Sequence, residues 1–188
     1  MVKIANILKD KSQEQLWRLF INGDMHAFNL IYSNHYQMLH NFGVKFLPPS
    51  EIEDAIHDTF LNLLNYKKSL TEVNNVKAYL FKCLRNQIFK IKKLSKLEFS
   101  LIEGTIQSEV ETHDKEKALI ELKKIIAQLS PREREIVYLK YFQHFNNKEI
   151  ADLLDIKYQT VRNILANAII KLRALGEDII PLLFILFK

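Results

Sequence analysis

The chain has 188 residues, enough for one large or two small domains. With only 4 Gly and 4 Pro it carries too little turn chemistry for an all-β fold, and its net charge of +5 suits an anionic partner. Its single Cys83 excludes an intramolecular disulfide and suits a reducing cytoplasm. Residues 1–19 are broken by Lys3, Lys9, Asp10, Lys11, Glu14 and Arg18, which is not the pattern of a secretory leader. No run approaches the roughly 20 apolar residues that a membrane-spanning helix needs.

In chain order, Ser12–Asn22 reads as a short amphipathic helix with Leu16, Trp17 and Phe20 inward, ended by Gly23. Asp24 is placed to cap a second helix whose apolar stripe is Phe28, Ile31, Tyr32, Leu39, Phe42 and Phe46, and Pro48–Pro49 is expected to stop it. Ser50 with Glu53 then suggests a capping box for a third helix, with Ile52, Ile56, Phe60, Leu63 and Leu64 buried. Tyr66–Asn75 is a polar loop. A fourth helix from Val76 to about Leu97 carries Tyr79, Leu80, Leu84, Ile88 and Ile91.

The segment 95–114 is polar, carries more acid than base, and reads as a linker. A second helical unit follows over 115–175. Within it Ser130, Pro131 and Glu133 form a strong helix start. Asn146 with Glu149 forms another, and Ile150, Ala151 and Leu154 share one face. A tight turn at Asp155 leads to a last helix from Tyr158, which buries Val161, Ile164, Leu165, Ala168 and Leu172. This is the layout of a helix-turn-helix. Gln159, Thr160, Arg162, Asn163 and Asn167 remain outward, and Arg, Asn and Gln match base edges in the major groove. Lys157–Arg173 holds four basic residues and no acid, as a helix between phosphates requires. The tail 176–188 ends in the apolar run Ile179–Phe187. Three readings of it are open: packing against the chain's own domains, a docking segment, or an exposed end.

Two further clusters stand out. Lys77, Lys82, Arg85, Lys90, Lys92, Lys93 and Lys96 come with no acid among them and with Tyr79, Phe81 and Phe89 interleaved. Charge tracking a backbone beside rings that stack on bases suits single-stranded nucleic acid, although a solvated face over a core has the same composition. Glu51, Glu53, Asp54 and Asp58 surround His57. Glu53 and His57 are two ligands, too few for a metal site, so a protein-binding surface including Phe60 and Leu61 or a plain solvated face is expected. There is no Ser/His/Asp grouping, Gly-rich phosphate loop or Cys motif. No catalytic residue, metal or cofactor is therefore assigned.

Two separated blocks resemble one family. GDMHAFNLIYSNHY, EIEDAIHDTFLNLL and VKAYLFKCLRNQIFKIKK look like region 2 of the sigma-70 family. LSPREREIVYLKYF and NNKEIADLLDIKYQTVRNILANAIIKLR look like its region 4. Together they are similar to the compact two-domain extracytoplasmic-function (ECF) sigma factors. The resemblance implies an all-α fold of two small helical domains joined by a flexible linker, with region 2 over 12–94 and region 4 over 115–175. It implies a cytoplasmic transcription initiation factor, not an enzyme, whose partners are core RNA polymerase, promoter DNA and an anti-sigma protein. By the same resemblance Asp54, His57, Asp58, Phe60 and Leu61 contact polymerase. Lys77, Tyr79, Lys82, Arg85, Asn86 and Lys90 face the melted −10 strand. Lys157, Tyr158, Gln159, Thr160, Arg162, Asn163 and Asn167 face the −35 duplex. The chain departs from the family where His57 replaces a usual Gln, where Leu64 or a neighbour replaces a Trp, and where Asp155 takes a turn position that favours Gly. Its Lys, Ile and Asn richness and the YQTVRN wording look Bacteroidetes-like. A free-standing helix-turn-helix regulator that never joins polymerase is the main alternative, and an adaptor that uses the motif only for packing is a third.

Overall fold

A computed structural model describes residues 8, 10–70, 72–92 and 128–174. The expected linker 95–114, the start of the second unit and the tail 176–188 lie outside the described residues. The chain divides into two compact units, Met1–Ser95 and Lys96–Lys188. Among the described residues every regular element is helical.

The first unit opens with helix α1, Gln13–Ile21, begun by a reciprocal box. The Ser12 hydroxyl accepts from the Gln15 N–H at 3.2 Å, and the Ser12 N–H donates to Gln15 Oε1 at 3.0 Å. Leu16, Trp17 and Phe20 are buried as the spacing requires. Gly23 turns the chain at φ 103°, a left-handed backbone that costs glycine little. Asp24 Oδ1 then accepts from the N–H groups of His26 and Ala27 and caps α2, Met25–Gly43.

Two expectations about the next junction fail. The second helix ends at Gly43, well before Pro48–Pro49. Phe46 and Leu47 donate their N–H groups back to the Gly43 carbonyl at 2.8 and 3.1 Å and bury their side chains. The return of two apolar residues to the core ends the helix, and the prolines start the next one. Helix α3, Pro49–Asn65, has Pro48 as N-cap and Pro49 in its first turn, so the Ser50–Glu53 box is not formed. Pro fits there because its fixed φ suits the helix and the first turn leaves N–H groups unbonded in any case. Ile52, Ala55, Ile56, Thr59, Phe60 and Leu63 face inward.

A 3₁₀ turn at Lys67–Ser69 leads to α4, Val76–Lys92. Asn75 Oδ1 accepts from the Ala78 N–H at 2.9 Å. Helix α4 packs on α1, α2 and α3 and fills the centre of the unit with Leu80, Phe81, Leu84 and Ile88. Trp17 lies edge-on between Phe20 and Tyr79, with centroids at 5.5 and 5.3 Å.

In the second unit the Ser130–Glu133 box starts α5, Pro131–Val137. The helix widens into a π turn over Tyr138–Phe142, which the sequence pattern did not suggest. Helix α6, Asn147–Leu154, begins with the expected Asn146–Glu149 box. Asp155 takes up φ 52°, ψ 51°, the left-handed conformation that Asp tolerates better than most residues. Helix α7, Tyr158–Ala174, buries Val161, Leu165, Ala168 and Leu172, while Ile164 is half-buried.

Candidate nucleic-acid interface

Helix α7 presents Lys157, Tyr158, Gln159, Thr160, Arg162, Asn163 and Asn167, all exposed, on and beside its first three turns. Its orientation is fixed from behind by α5. Lys171 donates to both Glu133 oxygens, at 2.8 and 2.9 Å. Arg132 pairs with Glu135 at 2.8 Å and reaches the Leu154 carbonyl at 3.4 Å, where α6 meets the turn. One short helix thus grips both halves of the helix-turn-helix. Burial works to raise the Glu133 pKa, but the bonds from Lys171 and Ser130 outweigh it and hold the carboxyl below its ordinary value. Sequence reading found the Glu133 cap and missed this lock, because Lys171 lies 38 positions away.

Helix α4 treats the six residues expected at the −10 strand unequally. Asn86 and Lys90 are exposed, and Lys77 and Lys82 are half-buried. Arg85 is buried, with its guanidinium 4.4 Å from the Phe89 ring centroid. Tyr79 is half-buried against Trp17, and burial, with Cys83 beside it, pushes its phenol up to about 12. Phe81, expected to interleave as a stacking ring, is instead fully buried against Phe42 at 4.9 Å. The accessible charge on this helix therefore comes from the lysines, and Arg85 and Tyr79 lie beneath it.

On α3, Asp54, His57, Asp58 and Leu61 share one exposed face at spacings of three and four residues. Leu61 is 55 % exposed, an apolar side chain in an acidic stripe. Phe60, grouped with them from the sequence, is not on that surface. It is 2 % exposed and packs edge-on against Phe28 and Tyr32. Two residues the sequence reading missed adjoin the stripe. The Tyr32 hydroxyl lies 3.3 Å from His57 Nδ1, and the Tyr36 ring centroid is 6.5 Å from that of His57. Asp58 accepts from Gln87 at 3.0 Å, which ties the stripe to α4. Among the described residues no group of three His, Cys, Asp or Glu could hold a metal ion, and no helix is long and apolar enough to cross a membrane.

The model for Sigma-70 region 2 matches residues 31–93, and that for Sigma-70, region 4 matches residues 119–172. Between them they match more than half of the chain, in the order in which its two units stand. The chain belongs to the sigma-70 family. Region 2 followed by region 4 is the organisation of its ECF form. Among sigma factors, the chain is 26 % identical over 179 residues to RNA polymerase sigma factor NccH of Alcaligenes xylosoxydans xylosoxydans, with 88 % of this chain and 95 % of that one covered. The fold is shared with CnrH, solved in complex with the cytosolic domain of CnrY. There the TM-score is 0.61 and the identity 17 %, over 88 % of this chain and 97 % of that one. It is also shared with RpoE of Bartonella quintana, solved with the anti-sigma factor NepR. The TM-score is 0.57 and the identity 18 %, over 79 % of this chain and 95 % of that one.

Proposed function

We propose that this sigma factor binds core RNA polymerase, directs it to promoters by reading −35 and −10 elements, and helps open the DNA. It is a transcription initiation factor rather than an enzyme, and it works in the cytoplasm beside polymerase. The observation that carries the reading is the pairing of two different faces in one chain. Region 4 offers an exposed Arg/Asn/Gln face on a helix without acids, suited to a major groove. Region 2 offers the Asp54, His57, Asp58 and Leu61 stripe, an acidic face ending in an exposed apolar side chain, suited to a protein. A stand-alone regulator needs the first and has no use for the second.

The −35 residues are Lys157, Tyr158, Gln159, Thr160, Arg162, Asn163 and Asn167. For the −10 strand Lys77, Lys82, Asn86 and Lys90 make direct contact, while Tyr79 and Arg85 support them from below. Extruding a base costs a few kcal/mol of stacking, which polymerase binding offsets. The likeness to RpoE, solved with the anti-sigma factor NepR, supports an anti-sigma protein as the regulator. The composition and recognition-helix wording support a Bacteroidetes-type source.

Co-migration of the full chain with core polymerase, measured for the parent and for Asp54→Arg, tests the polymerase face. The parent is expected to co-migrate and the variant to do so weakly. Retained duplex binding with no co-migration by the parent would favour the free-standing regulator.

A further inference from the structure

At the outer face of α7, the Gln159 amide donates one Nε2–H to Asn163 Oδ1 at 2.9 Å. Both side chains are exposed, and they lie opposite the buried stripe of Val161, Leu165, Ala168 and Leu172. Gln159 is the second residue of the helix, in the stretch that reaches base edges when a helix-turn-helix docks.

The bond does two things. It uses one of the two amide hydrogens, and it turns the amide oxygen away from Asn163. What remains on Gln159 is Oε1 as an acceptor and the second Nε2–H as a donor, side by side. Adenine offers the complement in the major groove, an N6 amino donor beside the N7 acceptor. Guanine offers two acceptors, O6 and N7, and would set O6 against Oε1. The i,i+4 bond biases the exposed amide towards this orientation, which reduces the side-chain freedom lost on contact.

We propose that Gln159 is the residue that specifies an adenine in the −35 element, and that Asn163 is its positioning residue, acting through the amide it orients. The inference rests on the sigma-factor reading and adds to it the identity of one base.

The test is selection of duplexes randomised over the −35 region by the full chain assembled with core polymerase. Competition then follows with duplexes carrying 7-deazaadenine, which lacks the N7 acceptor. The parent should select an adenine whose replacement by 7-deazaadenine weakens binding about 2- to 12-fold, the loss of one hydrogen bond of the pair. Gln159→Ala should bind adenine and 7-deazaadenine alike at that position. Asn163→Ala should shrink the ratio toward that of Gln159→Ala. Asn163→Asp keeps the acceptor and should restore the ratio, although its charge lowers affinity for every duplex. A purely structural role for Asn163 would change affinity and leave the ratio untouched. A selected motif with no position sensitive to 7-deazaadenine, or one whose sensitivity survives Gln159→Ala, overturns this inference and leaves the sigma-factor reading standing. Failure to select any sequence overturns both.

Discussion

Gly43 sits where α2 meets α3, and a methyl group added there would overlap Cγ1 and Cδ1 of Ile52. Ile52 is itself fully buried, so its side chain cannot move aside into solvent. Two opposed effects follow for Gly43→Ala. Helix propensity alone favours Ala over Gly by at most about 1 kcal/mol, less at the last residue of a helix. Overpacking a closed core costs about 1–3 kcal/mol. Steric overlap with a fully buried side chain belongs at the upper end of that range, so a net loss of about 1–2 kcal/mol is expected. Ile52→Ala should cost about 2–5 kcal/mol by leaving a cavity. The double variant should cost less than the sum of the two, because the new methyl enters the space that Ile52 vacates. Trp17, the chain's one tryptophan, is buried in the same unit, so its fluorescence in a urea titration reports this unit's unfolding. Stabilisation of Gly43→Ala by up to about 1 kcal/mol, as propensity alone predicts, would refute the close approach. Strict additivity in the double variant would do the same. The contact sets where α3 lies, and hence where the Asp54–Leu61 stripe is offered.

Other predictions concern the interfaces and the lock behind α7. Arg162→Ala should lose about 1–3 kcal/mol of discrimination between cognate and altered −35 duplexes, measured by competition binding, if its guanidinium makes a bidentate base contact. Asp54→Arg should weaken polymerase binding roughly tenfold with an unchanged urea midpoint, since Asp54 is exposed. Glu133→Gln should make hydrogen exchange of the α7 amides less dependent on acid. The carboxyl's value is depressed on folding, so its stabilisation is complete above the ordinary glutamate value of 4.5 and is lost as pH falls through the depressed one. An acid dependence identical to the parent's would contradict that. Asp155→Val should destabilise region 4 by about 1–2 kcal/mol, because a branched side chain fits a left-handed backbone poorly, and Asp155→Gly should not.

What could be read from the sequence was local. The boxes at Ser130–Glu133 and Asn146–Glu149, the Asp24 cap and the left-handed turn at Asp155 each depend on residues within four positions of one another. The outward face of α7 was legible because one side of that helix is buried and its apolar positions mark it. Reading failed where distant segments decide. Pro48–Pro49 carries the signal of a stop and of a start, and only the return of Phe46 and Leu47 to the core selects the start. Helix α4 packs against three other helices, so its inward side is wide. Phe81 and Arg85 fall within it, though composition alone suggested a basic, aromatic surface. Phe60 was read both ways, as a buried position of α3 and as part of the docking surface, and its partners Phe28 and Tyr32 from α2 select the first. The Glu133–Lys171 and Arg132–Leu154 bonds are pairings between helices that no periodicity announces.

The most direct test of the central claim is run-off transcription of a fragmented genome library by core RNA polymerase with and without the purified chain. The account predicts new transcripts whose upstream regions share −35 and −10 elements at constant spacing, weakened roughly tenfold with Asp54→Arg and less selective with Arg162→Ala. No stimulation of polymerase by a folded chain that still binds duplex DNA would contradict it.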